Sequence, residues 1–158
     1  MKTAVDTNIL LYVARRHPAF VEAAVQGLET ALLGGRVVIC PAVYAELAVN
    51  WEQGQEPLDA YLAGLGVGVD PFTKEALYCA GATWREYRRA RGPHVECPHC
   101  GARFSTTCPG CGTQVSWRQR VLPDFLVGAH ALMQADVLLT HDRGTYRAYF
   151  PHLTLRQI

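Results

Sequence analysis

The stretch that most restricts the fold is the amino-terminal MKTAVDTNILLYV, residues 1–13. Thr3, Ala4 and Val5 make a short apolar run with strand character, and Asp6 ends it abruptly. Thr7 and Asn8 each suit the cap of a helix running through residues 9–13. An acid therefore stands at the carboxyl end of a strand where a helix begins, the edge at which open α/β sheets bind ligands. A helix cap accounts for the same acid without any chemistry, so Asp6 alone decides nothing.

The alternation continues down the chain. Apolar residues recur at helical spacing over 20–32, with Glu22, Gln26 and Glu29 opposite them, and Gly34–Gly35 ends that helix. Residues 36–40 read as a compact buried strand, and Pro41 suits the first turn of a helix over 42–51 that carries Glu46. The segment 54–57 reads as a break, 58–65 as a short helix and 67–70 as a strand. A long helix runs from about residue 73 into the arginines that end at Arg91, and Gly92–Pro93 stops it. Helical pattern resumes at Pro123, residues 136–140 form a strand, a short helix follows Gly144, and 153–155 reads as a last strand. Strands alternating with helices predict an α/β fold, a parallel sheet flanked by helices.

With 158 residues, 49% of them hydrophobic and 18% charged, the chain suits one globular domain with a small insert and is not a disordered segment. No apolar run approaches the ~20 residues of a membrane span, and Asp6 interrupts the only candidate leader. These features predict a cytoplasmic protein with no membrane partner. Charge is unevenly spread. Between Arg85 and Arg120 seven arginines face two glutamates, a net +5 in a chain whose formal total is +1. A basic block on a slightly acidic body points to a polyanion, although a solvated helix face accounts for part of it.

Four acids share one kind of position. Asp6 and Asp142 each follow an apolar strand directly, Glu46 lies on the helix after the second strand, and Asp124 opens the helix before the strand that leads to Asp142. Taken singly, Asp124 favours a helix dipole, Asp142 fits a turn and Glu46 a solvated helix face. In a parallel sheet all strand ends leading into helices point the same way, so the four carboxylates converge. Clustered carboxylates repel unless a cation lies among them. An all-oxygen set suits a hard divalent ion such as Mg²⁺ or Mn²⁺, which positions phosphate oxygens and acidifies a bound water.

The segments VDTNILLYV, PAVYAEL, LPDFLVGAHAL and ADVLLTHDRGTYR together resemble the PIN-domain nucleases, most closely the ribonuclease toxins of bacterial toxin–antitoxin modules. The resemblance covers all but about residues 93–119. It implies a compact PIN-like, Rossmann-like sheet and metal-dependent endonuclease activity, usually on RNA. It also implies metal-binding catalytic acids at Asp6, Glu46, Asp124 and Asp142, with Thr7, Asn8 and Thr140 as polar supports. A homodimer and a small antitoxin partner are further implications.

The departure from that family is Cys97-Pro-His-Cys100-Gly … Cys108-Pro-Gly-Cys111-Gly. Each unit is a tight turn that aims two sulfurs at one point, and two turns supply four thiolates for a tetrahedral Zn²⁺. Disulfides are the other reading, which a cytoplasmic chain disfavours. A stretch this poor in aliphatic residues needs metal to fold. The expected organisation is a nuclease domain of residues 1–92 and 120–158 with a zinc ribbon, 93–119, inserted in it. Arg88, Arg89, Arg91, Arg118 and Arg120 flank that insert and are candidates for contact with the RNA backbone. Cys40 and Cys79 read as buried thiols, and His130 as a satisfied core histidine. Competing functions are a nucleic-acid or protein binding module built on the ribbon with a vestigial nuclease site, and a structure-specific DNA nuclease.

Overall fold

The computed structural model describes residues 1–90, 95–96, 102–115, 122–142 and 144–158. In chain order, β1 (Lys2–Val5) leads to α1 (Thr7–Ala14) and α2 (Val21–Gly34), and β2 (Arg36–Ile39) to α3 (Pro41–Ala48) and α4 (Gln55–Gly64). After β3 (Val67–Val69) comes the long α5 (Lys74–Ala90). Four two-residue strands follow: β4 (Val95–Glu96), β5 (Arg103–Phe104), β6 (Thr106–Thr107) and β7 (Gln114–Val115). The chain closes with α6 (Leu122–Gln134), β8 (Val137–Thr140), α7 (Thr145–Tyr149) and β9 (Leu155–Gln157).

Five strands form one sheet in the order β3-β2-β1-β8-β9, and every pairing in it is parallel. Ala4 lies opposite Val38 on one side and Leu138 on the other, so the carboxyl ends of β1, β2 and β8 finish level. The last three residues of β1 and β2 and all four of β8 are at most 4% exposed. Side chains of a strand alternate between faces, so burial of consecutive residues means that helices cover both faces, as parallel sheets require. The apolar runs of the sequence are the direct trace of that double cover.

Helix α5 lies along α6, with the Tyr87 ring 5.3 Å from Phe125 and 5.4 Å from Tyr149. Tyr87 is buried in this aromatic cluster, and Trp84 packs half-buried against the same core, with the Arg88 guanidinium 5.1 Å from its ring. Gly128 on α6 is required by a close approach: a Cβ there would lie 2.3 Å from the Phe150 ring. No helix among the described residues is long and apolar enough to cross a membrane.

Most boundaries shift by one to three residues from the sequence reading, and two of the shifts have a plain physical cause. Helix α4 begins at Gln55, not residue 58, because Pro57 sits in its first turn, where no backbone donor is lost. The last strand is Leu155–Gln157 and not 153–155, since Leu153 is spent on the core before the strand begins.

Within residues 93–119, β4 pairs antiparallel with β5 and β6 with β7, and neither pair joins the main sheet. Cys97, Cys100, His94, His99, Trp117, Arg91, Arg118 and Arg120 lie outside the described residues. Cys108 and Cys111 lie within them, on a tight turn between β6 and β7. Gly112 donates its N–H to the Cys108 carbonyl (2.8 Å) at φ +72°, and Cys108 donates to Thr113 (2.8 Å). Glycine is the residue that reaches this left-handed backbone without strain. The exposed Cys111 thiol is held below its usual range by the Thr113 hydroxyl, then by Thr113 backbone and Cys108.

Candidate active site

Asp6 is the residue at which β1 becomes α1. Its N–H still donates to the Leu139 carbonyl of β8 (3.0 Å), while its side chain caps α1 through the Thr7 N–H (2.8 Å). The cap reading of the sequence is therefore correct as geometry, and it leaves the second carboxylate oxygen to other partners. Oδ2 accepts from Asn8 Nδ2 (2.8 Å) and from the Thr140 hydroxyl at the end of β8 (2.6 Å). Asp6 is only 7% exposed, and burial pushes its carboxyl group up to about 6. Hydrogen bonds from Thr140 and Thr7 pull it down, and the charges of Glu46 and Asp124 push it up again.

The other three acids reach the same edge from different elements. Glu46, half-buried on α3, accepts the Thr7 hydroxyl. Asp124 lies half-buried in the first turn of α6. Asp142 follows β8 and turns its carboxylate to the start of α7, accepting from the N–H groups of Gly144 (2.7 Å) and Thr145 (2.6 Å) and from the Thr145 hydroxyl. Its own N–H donates to the Thr140 hydroxyl (2.9 Å), so Thr140 links Asp6 to Asp142.

Tyr146 reports how closely the four are grouped. Its phenol is 3% exposed, and burial, together with the charges of Asp6, Asp124, Asp142 and Glu46 in that order, drives it far above the usual phenol range. One buried side chain thus feels all four carboxylates. The sequence reading missed Tyr146; its only signal is a tyrosine four places after Asp142.

Asp6, Glu46 and Asp142 are held by neighbouring donors. Among the described residues, no three Asp, Glu, His or Cys side chains are drawn into a common ligand group. The donor set nevertheless fits a hard divalent cation: it is all oxygen, the charges of Glu46 and Asp124 bear on the buried Asp6, and the carboxylates stand at one edge of the sheet.

Several residues weighed in the sequence have other places. His130 is 1% exposed, its Nε2 lies 2.9 Å from Asp70 Oδ2, and burial holds its pKa below the usual range. Asp70 also takes the Lys2 ammonium (2.5 Å) and Gln134 (3.2 Å). Burial works against its charge, and these partners outweigh it to lower its pKa. Cys40 is buried, which pushes its thiol up to about 11. Arg88 and Arg89 stand exposed on the last turn of α5. An apolar groove of about 320 Å³ between α3 and α4, lined by Tyr44, Trp51 and Leu58 among others, contains none of the four acids.

Solved structures share this architecture from end to end. VapBC2 from Rickettsia felis, bound to a DNA fragment from its promoter, is 18% identical with a TM-score of 0.66, covering 100% of this chain and 99% of that one. VapBC-1 from nontypeable Haemophilus influenzae is 19% identical with a TM-score of 0.62, covering 99% and 98%. DNA-bound VapBC from Salmonella typhimurium is 16% identical with a TM-score of 0.60, again covering 99% and 98%. At these identities the likeness is one of fold. No curated protein matches the sequence. The PIN domain family model, however, matches residues 3–151, a span that begins inside β1 and takes in the positions of all four acids, and so the chain belongs to the PIN domain family.

Proposed function

We propose that this chain is a metal-dependent endoribonuclease of the toxin type, hydrolysing RNA phosphodiester bonds at an edge formed by Asp6, Glu46, Asp124 and Asp142. The observation that carries the reading is the buried carboxyl group of Asp6, disfavoured as an anion by burial and by Glu46 and Asp124, at the ligand-binding edge of a parallel sheet. Membership of the PIN domain family supports it. These carboxylates would hold Mg²⁺ or Mn²⁺, which when bound offers a Lewis acid to a phosphate oxygen and acidifies a water. Thr7 and Thr140 orient Glu46 and Asp6, and Asn8 holds the second oxygen of Asp6.

The insert is proposed to be a ribbon holding one structural Zn²⁺ through Cys97, Cys100, Cys108 and Cys111, with residues 1–92 and 120–158 as the nuclease domain. The Cys108–Gly112 turn, with two cysteines on a glycine-closed loop, supports it. Elemental analysis after purification without chelator should find about one zinc per chain, and replacing Cys108 and Cys111 with serine should remove it. A chain purified without zinc refutes the ribbon.

The similar VapBC structures support a small antitoxin partner and a toxin-type role, and we extend the proposal to a homodimer in the cytoplasm. Digestion of mixed RNA and of structured and single-stranded DNA, with Mn²⁺, Mg²⁺ or chelator, tests the function. RNA should be cut with either ion, neither substrate with chelator, and DNA far more slowly. Cleavage of DNA alone would replace this reading with a DNA nuclease. Binding of RNA without cleavage would favour a binding module.

A further inference from the structure

Next to the acids lies a group of rings that no step above uses. They are Tyr12 on α1, His17 and Phe20 in the turn before α2, and His141 after β8, and the Tyr12 and Phe20 rings each touch the other three. The Phe20 ring is 4.4 Å from His141, 4.8 Å from His17 (stacked, 25° between planes) and 4.9 Å from Tyr12. The Tyr12 hydroxyl is 2.8 Å from His141 Nδ1. All four residues are half-exposed, and among the described residues Phe20, unlike Tyr12, does not join the hydrophobic core.

The turn that presents the rings is specific. Arg16 takes a left-handed φ of 48°, the only positive φ among the described non-glycine residues, and this lets the His17 N–H return to the Tyr12 carbonyl (2.9 Å). A direct line of hydrogen bonds ties the cluster to the site. The His141 N–H donates to Asn8 Oδ1 (3.3 Å), and Asn8 Nδ2 donates to Asp6 (2.8 Å). Arg15 and Arg16 stand exposed on the same turn.

We infer that Tyr12, His17, Phe20 and His141 form a stacking subsite for a base of single-stranded RNA, that of a nucleotide beside the phosphate held at the acids. The inference rests on the nuclease reading. Aromatic and histidine rings stack on unpaired bases, and exposed arginines hold the backbone without regard to sequence. Half-exposed rings pinned to a carboxylate edge thus fix which nucleotide lies at the cleaved bond, giving the enzyme register and base preference.

The test removes the base from each nucleotide flanking the cleaved bond in turn, leaving every phosphate in place. With wild-type protein and Mn²⁺, one position should raise KM roughly tenfold. In Phe20→Leu, which keeps apolar bulk without a ring, intact RNA should bind roughly tenfold more weakly and the abasic penalty at that position should shrink below about twofold. His17→Ala repeats the cycle on the other stacked ring, outside α2. Normal cleavage with a flat abasic scan, or with an undiminished penalty in both variants, overturns the subsite and leaves the nuclease reading standing. If wild-type protein cuts no RNA, the nuclease reading falls and the subsite with it.

Discussion

Asp6 accepts hydrogen bonds from Thr7, Asn8 and Thr140, and still its carboxyl group is pushed up to about 6. Burial and neighbouring negative charge outweigh three donors, so in the metal-free protein its ionisation opposes folding. The unfolded value is 3.8 and the folded one about 6, so the stability this group contributes is fully present below pH 3.8 and is lost as pH rises through 6. The loss is on the order of 3 kcal/mol. Thermal unfolding in chelator should show wild type falling relative to Asp6→Asn across that window, and added Mn²⁺ should restore wild type alone. Parallel pH profiles would mean that the carboxyl group is not strained by its neighbours.

At the scale of elements, α6 carries Asp124 and is set in place by Gly128 against Phe150. Gly128→Ala drives a methyl group into that buried ring and should lower stability by about 1–3 kcal/mol. Gly81 on α5 has nothing within 4 Å of a would-be Cβ, so Gly81→Ala should raise stability by about 0.5–1 kcal/mol. Calorimetric melting of the two variants checks the opposite signs. The strand–acid–helix junctions were readable because the same physics marks each: a run buried on both faces, then a residue that caps the next helix. Pro57 misled because a proline that breaks a helix interior is equally at home in a first turn. The ring cluster left no periodic trace at all. Residues 12, 17, 20 and 141 meet only because β1 and β8 are neighbours, which no local pattern encodes. Tyr146 was hidden in the same way, since its setting is made by acids from four separate elements.

For the whole molecule, one edge of the sheet is acidic, while in sequence seven of the fifteen Lys and Arg residues fall between Arg85 and Arg120. Arg88 and Arg89 are exposed within that stretch, and in sequence it ends at Arg118 and Arg120, six and four residues before Asp124. If this stretch guides RNA toward the acids, Arg118→Ala with Arg120→Ala should weaken RNA binding and reduce the slope of log affinity against log salt by about 2. An unchanged slope would assign the insert to a structural or protein-binding role. If carboxylates from four elements cut RNA with a divalent ion, as proposed, the reaction depends on Asp6. Cleavage of one single-stranded RNA in Mn²⁺ should proceed with wild-type protein and fall by at least about a hundredfold in a folded Asp6→Asn variant; equal rates in the two proteins would contradict it.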